Sequence, residues 1–155
     1  MQRPSVDTPG RPAIRHVGRT AAWIAKQVEL GLEEVGLSLP QYRILSLLDA
    51  GPEISSALAD RLAVRPPSVT AVVDGLVARD LVERAHSEDD RRRVSHVLTA
   101  SGRYLLASAD DAVERRLVDI CNCLPSERSA KKAIDDMMLW QDALRAYRDR
   151  EAERR

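Results

Sequence analysis

Residues 37–102 read LSLPQYRILSLLDAGPEISSALADRLAVRPPSVTAVVDGLVARDLVERAHSEDDRRRVSHVLTASG, and the punctuation of this stretch decides the fold. Ser38, Pro40 and Gln41 spell a capping box, in which the Ser hydroxyl takes the third amide, Gln reaches back, and Pro in the first turn costs no hydrogen bond. A helix therefore starts there and runs to about Asp49, where Ala50-Gly51-Pro52 ends it. Ser55 or Ser56 is expected to cap a short helix that turns Leu58, Ala59 and Leu62 inward. Arg65-Pro66-Pro67-Ser68 forces a break. Pro67 suits the first turn of a further helix, which carries Val69, Val72, Val73 and Leu76 to about Arg79. The two short helices form a helix-turn-helix in outline. Leu81-Val82-Glu83-Arg84 and Arg93-Val94-Ser95-His96-Val97-Leu98 then read as strands around the polar tip SEDDRR, a β-hairpin.

Longer helices flank this unit. From Ile14 to Val35 the residues Ile14, Val17, Ala21, Ile24, Val28, Gly31 and Val35 recur three and four apart, an amphipathic seam that needs a partner helix. Thr99 caps a helix from Ala100 to Asn122 with Leu105, Ala109, Val113, Leu117 and Ile120 on one side. Leu124-Pro125-Ser126 breaks the chain again, and a last helix from Glu127 to Arg150 is expected to bury Ala130, Ile134, Met137, Met138, Trp140, Leu144 and Tyr147. The expected organisation is a flexible arm at residues 1–13, a dimerisation helix at 14–37, a winged helix-turn-helix lobe at 38–99, and C-terminal dimerisation helices at 100–150. The fold class is mainly α, with a small β wing of two or three strands.

Composition agrees. The 155 residues carry 44% hydrophobic and 31% charged side chains, within the range of a single globular domain, and aromatics amount to only 3%, which favours aliphatic helix packing over a β-sandwich. No apolar run approaches the roughly 18 residues of a membrane span, and the polar N-terminus does not look like a leader, so the chain is expected in the cytoplasm. Formal net charge is zero, so a nucleic-acid footprint has to arise from local clustering. Nearly all of the positive charge is arginine, which forks phosphates better than lysine does.

The clustering is at the hairpin tip, where Glu88, Asp89 and Asp90 precede Arg91, Arg92 and Arg93. An acidic residue can hold one arginine in place while another reaches phosphate or a minor groove, although a charge run standing alone is more often a solvated turn. Here it does not stand alone. LADRLAVRPPSVTAVVDGLVARDLVER, the DDRR tip and the LTASG that comes after it resemble, in that order, the multiple-antibiotic-resistance regulator (MarR) family. The resemblance implies a homodimeric transcription regulator, most commonly a repressor, that binds an inverted repeat in double-stranded DNA and is in some cases released by an aromatic or lipophilic small molecule.

Carried over position by position, the resemblance places Arg65, Pro67, Ser68, Thr70, Ala71 and Asp74 toward the major groove. It makes Arg92 the minor-groove arginine of the wing, flanked by Arg91 and Arg93, with Asp90 orienting it. Two recognition helices would meet successive major grooves about 34 Å apart. The chain also departs from the family: Ala71 and Gly75 stand where longer polar residues are common, which leaves fewer base-reading donors and shifts weight to DNA shape. Asp80 replaces the glycine that usually ends the recognition helix, a mild strain at a left-handed position.

Rival readings have thinner support. Cys121 and Cys123, two apart on a helix, point to nearly opposite sides and cannot easily bridge each other, so a thiol redox sensor would need an intersubunit bond. His16, His86 and His96 show no metal-ligand spacing; His86 and His96 are expected to face each other near the base of the wing, as a solvent-facing pair in preference to a phosphate contact. Trp23, Tyr42 and Tyr104 are the aromatics that could line an effector pocket, or could simply pack at the junction of the two lobes. No phosphate loop, nucleophile constellation or zinc-protease helix is present, so no enzyme, cofactor or metal is expected. A winged helix serving only protein contacts remains the alternative from another class, and the arginine-rich tip argues against it.

Overall fold

The structure is a computed structural model that describes residues 11–86, 94–152 and 154. Six helices and a small antiparallel sheet are arranged in the order α1 (Arg11–Glu33), α2 (Leu39–Asp49), β1 (Glu53–Ile54), α3 (Ser55–Leu62), α4 (Pro66–Ala78), β2 (Val82–His86), β3 (Val94–Leu98), α5 (Ala100–Cys121) and α6 (Glu127–Ala152) among the described residues. The capping box forms as the sequence predicts: Gln41 N–H donates to Ser38 Oγ, and Ser38 N–H donates to Gln41 Oε1. Helix α1 starts at Arg11, three residues before its apolar seam does.

Three helices end in the same way. Leu37 N–H reaches back to the Leu32 carbonyl, Val64 N–H to that of Ala59, and Leu81 N–H to that of Leu76, each spanning six residues around a left-handed one. The left-handed residues are Gly36 (φ 67°), Ala63 (φ 54°) and Asp80 (φ 56°). Glycine adopts this backbone without strain, whereas Ala63 and Asp80 bring a Cβ against the carbonyl. The turns at Gly36 and Asp80 are fixed by what they bury, since Leu32, Leu37, Leu76 and Leu81 all join one buried cluster, whereas the Ala63 turn runs from the buried Ala59 to the exposed Val64.

The sheet has the order β1-β3-β2. Its third strand is the two-residue β1, too short for alternation to announce it, and it alters the start of the next helix. Neither Ser55 nor Ser56 caps α3. The cap position belongs to Ile54, which has no side chain able to bond the helix amides, because pairing of Glu53 with His96 and Ile54 with Ser95 carries strand geometry up to the helix. Ser55 is the first residue of α3, and its hydroxyl faces the sheet.

A second correction concerns α6. Ile134, Met137, Met138, Trp140, Leu144 and Tyr147, expected to be buried, are all exposed, Trp140 at 50%, and so is the neighbouring Leu139 at 67%. Ile14 and Val17 of α1 are open as well. The periodicity is real, but no other part of the described chain lies against it. Helix α6 returns to the body near its end, where Arg148 Nη1 donates to the Arg61 carbonyl at 2.9 Å.

The body itself is joined tightly. Helices α1 and α5 pack closely enough at Gly31 that a Cβ there would lie 3.2 Å from the Ala112 carbonyl and the Val113 Cα. At the start of α5, Thr99 Oγ1 accepts from Gly102 N–H at 2.9 Å and donates to the Asp80 carbonyl at 2.7 Å, while Thr99 N–H bonds the Leu81 carbonyl. A Cβ on Gly102 would overlap that same Leu81 carbonyl, a backbone atom that cannot swing aside. Gly102→Ala is therefore expected to cost more than about 2 kcal/mol, the scale of a severe steric change, seen as a large drop in the denaturant midpoint or as failure to fold. Asp80→Gly, by contrast, should raise stability by about 0.5–1 kcal/mol through relief of the left-handed strain; an unchanged or lower midpoint would show that Asp80 is not strained.

Candidate nucleic-acid interface

Helix α4 divides cleanly into two faces. Val69, Val73 and Leu76 are buried in the core, while Arg65, Pro67, Ser68, Thr70, Ala71 and Asp74 are all exposed on the opposite side. The open side is thus formed by the residues expected to face DNA. Pro66 and Pro67 occupy the first turn, where a missing N–H leaves no bond unmade, and Arg65 stands at the cap position with its backbone extended. The turn between α3 and α4, with Ala63 at its left-handed point, sets the angle at which α4 leaves the body.

Two side chains of that face are already engaged. Thr70 Oγ1 donates back to the Pro66 carbonyl at 3.2 Å, and Asp74 accepts from Arg84 Nη2 of β2 at 2.5 Å. The Asp74–Arg84 pair ties the recognition helix to the wing strand beside it. Each partner is about half exposed, so the pair adds little to stability, but it fixes where both charges sit. Sequence reasoning placed Asp74 among the DNA-facing residues and missed Arg84, since no short-range pattern links residues ten apart on different elements. At the far end of α4, Arg79 Nη1 donates to the Gly36 carbonyl and anchors that end to the α1–α2 turn.

Between α3, α4 and the sheet lies an open groove of about 550 Å³ lined in part by Ser55, Thr70, Asp74, Arg84 and His96. His96 is only 4% exposed, which overturns its expected place in a solvent-facing pair. The register sets it opposite Arg84 and sets His86 opposite Val94, so the two histidines are not cross-strand partners. Ser55 Oγ lies 2.8 Å from His96 Nε2. Burial is the main cause of a lowered His96 pKa, and the Arg84 charge adds to it against a smaller opposing pull from Asp74. Asp90, Arg91, Arg92 and Arg93 lie outside the described residues; β2 and β3 lead to and from that tip.

The remaining candidates are dispersed. Trp23 and Tyr104 are 72% and 78% exposed, and neither they nor Tyr42 lines the groove beside α4. Tyr42 is half-buried and its hydroxyl donates to Asp110 Oδ1 of α5 at 2.6 Å, a tie between α2 and α5. Cys121 is half-buried at the end of α5, and Cys123 is exposed just beyond it. Among the described residues no group of three metal-ligating side chains occurs, and no described helix is long and apolar enough to cross a membrane.

Comparison with known proteins agrees with this geometry. Residues 35–93, which span the helix-turn-helix and the first strand of the wing, match the MarR family model. The chain is also 30% identical over 122 residues to the HTH-type transcriptional repressor Rv2887 of Mycobacterium tuberculosis, an alignment covering 77% of this chain and 88% of that one. It belongs to the MarR family. The MarR-family relatives it matches are helix-turn-helix transcriptional regulators, among them a second M. tuberculosis protein 31% identical over 118 residues, covering 75% of this chain and 82% of the relative. In structure, CouR, a transcriptional repressor solved on a 23-mer DNA duplex, superposes with a TM-score of 0.69 at 26% identity, over 92% of this chain and 98% of CouR. MarR of E. coli in its apo form has the same TM-score at 19% identity, over 84% of this chain and 96% of that structure, and shares the MarR fold.

Tyr42 provides a test of the α2–α5 tie. Burial raises its pKa to about 12, and the hydrogen bond to Asp110 adds to the shift. The folded state thus favours the neutral phenol, so this contribution is complete below the ordinary value near 10 and is lost as pH rises from there through about 12. One of the three tyrosines should ionise only near pH 12 in an ultraviolet titration, and that late step should vanish in Tyr42→Phe; a wild-type titration lacking it would refute the tie.

Proposed function

We propose that the chain acts as a homodimeric repressor of transcription that binds an inverted-repeat operator and performs no chemistry of its own, working in the cytoplasm. The observation that carries this reading is the open face of α4, formed by Arg65, Pro67, Ser68, Thr70 and Ala71 over a buried apolar face, beside a hairpin that leads to Arg91, Arg92 and Arg93. An α-helix fits the major groove, and a narrow β-tip can follow the backbone into the adjoining minor groove. In this reading Arg65 forks a phosphate or a guanine, Ser68 donates to phosphate, and Arg92 enters the minor groove with Asp90 steadying it. Asp74 serves the interface through Arg84.

The dimer is proposed to form through residues 14–37 and 100–150. The exposed apolar side chains along α1 and α6 support it, since large apolar residues left open in this number on one chain are what a partner would cover. A second copy would supply the missing packing by symmetry, the same patch on each subunit meeting its twin. Trp23 and Tyr104, open in one chain, would line an effector pocket only where the partner covers them.

The deciding measurement is the affinity of the purified protein for DNA fragments flanking its own gene, taken over a range of salt. Tight binding to one inverted repeat, weakening steeply as salt rises, is expected, with Arg92→Ala weaker by about tenfold or more. Sequence-blind binding that ignores Arg92→Ala would favour a protein-interaction module instead.

A further inference from the structure

His96 occupies the centre of the wing sheet and is the one buried polar or charged side chain of the core among the described residues. A hydrophobic residue would fill such an inward strand position with no polar atom to satisfy. The imidazole instead brings two nitrogens: Nε2 meets Ser55 Oγ at 2.8 Å, and Nδ1 is buried with no hydrogen-bond partner among the described residues. Ser55 opens α3, His96 belongs to β3, and Arg84 opposite it on β2 is the residue that grips Asp74 of α4. One side chain thus sits where the wing, the first helix of the helix-turn-helix and the tie to the recognition helix come together.

We propose that neutral His96 is a positioning residue that, with Ser55, clips the wing sheet to the helix-turn-helix, and that its protonation loosens this clip and weakens DNA binding as the medium turns acid. The proposal rests on the DNA-binding function proposed for α4 and the wing.

The charge balance around the ring supports it. A proton on His96 would place a cation, 4% exposed to water, across the strand pair from the Arg84 guanidinium. Asp74 is the counter-charge within influence, and it is already held by Arg84. Glu53, opposite His96 on β1, is engaged by Arg61 at 2.6 Å. Of the other elements packed on β3, α2 carries Arg43, bonded to the Leu62 carbonyl, and the exposed Asp49; α5 carries Arg103, bonded to the Leu98 carbonyl. None of these is placed to neutralise the ring. The open groove along Ser55, Thr70 and Asp74 gives solvent protons a route to it.

For the stability of the folded wing the sign follows from the lowered pKa, while the effect on DNA binding follows from the position of the ring between β3, α3 and the Arg84–Asp74 tie. The neutral ring is favoured in the folded state, so its contribution is complete above the ordinary histidine value near 6.5. It is lost as pH falls from there through the folded-state value.

The test is the dissociation constant of the full-length protein for the inverted-repeat duplex, measured by fluorescence anisotropy at constant salt between about pH 7.5 and pH 5.5, a range that brackets the ordinary histidine value. Wild type should weaken a few fold on acidification, and by less than about tenfold because the His96 pKa lies below the ordinary value, whereas His96→Gln, which can still bond Ser55 but does not titrate, should change by less than about 1.5-fold. His96→Leu guards against a Gln variant that fails to fold: it fills the site without titrating and should also lose the acid response. A wild-type affinity that does not fall with acid, or an acid response retained in the folded variants, overturns the proposal. Failure of the wild type to bind DNA at neutral pH overturns the DNA-binding reading instead.

Discussion

The junction at Leu81 and Gly102 is the constraint on which the rest of the molecule depends. The Leu81 carbonyl accepts from Thr99 N–H and lies where a side chain on Gly102 would have to be, so the end of the recognition helix, the start of the wing and the start of α5 meet at backbone distance. Thr99 closes the junction from the other side by bonding both Asp80 and Gly102. A backbone contact has no rotamers and little give, so the orientation of α4 is transmitted to α5 as a rigid angle. Because α5 also packs against α1 at Gly31, the angle reaches the surface where the exposed apolar side chains lie. In a dimer built on that surface, the separation of the two recognition helices would be set largely by this one close approach.

Much of the fold was legible in the sequence, and the parts that were not share a cause. Helix starts at Ser38 and Thr99, the break at Arg65-Pro66-Pro67 and the hairpin all depend on local chemistry, and local chemistry is written in adjacent residues. The left-handed Asp80 was legible for the same reason, as the residue standing where a glycine is usual. What escaped were contacts between distant segments: Ser55 with His96, Asp74 with Arg84, Arg148 with the Arg61 carbonyl. Ser55 is the instructive case. A serine ahead of a short helix is the usual sign of a cap, and only the pairing of β1 with β3, two residues long, moves the cap to Ile54 and turns the hydroxyl toward the sheet. The apolar residues of α6 were legible as a stripe, but a stripe does not say whether its cover lies in the same chain.

The uncovered stripe also bears on how the molecule stays folded. Helix α6 spends most of its length away from the described core and touches it near its end through an arginine on a helix carbonyl. Its ion pairs, Lys131–Asp135 and Lys132–Asp136, are exposed and contribute about a few tenths of a kcal/mol each at most. A 26-residue helix with so little support gains most of its stability from packing of its apolar face, not from propensity. Folding of α6 and assembly of two chains would then be one event, and the long helices would order fully only when paired. The helix-turn-helix, by contrast, shares one buried cluster with α1 and α5 of the same chain.

The same structure limits how the recognition helix can read DNA. Of its open residues, Pro67 and Ala71 offer no hydrogen-bond donor, Thr70 is bonded back to its own helix, and Asp74 is held by Arg84. Arg65 and Ser68, both in or next to the first turn, are left as the side chains best able to donate to the groove, and both lie where a helix N-terminus approaches phosphate. Gly75 and Ala71 keep the helix surface low, so α4 can sit close to the groove floor while making few base-specific bonds. Sequence preference would then come mainly from the width and flexibility of the DNA that such a shallow helix and an arginine-tipped wing can grip together. In that arrangement the angle between wing and helix matters more than any single base contact. In the proposed reading the Arg84–Asp74 pair and the Ser55–His96 contact hold that angle, and they would bear on specificity without touching a base.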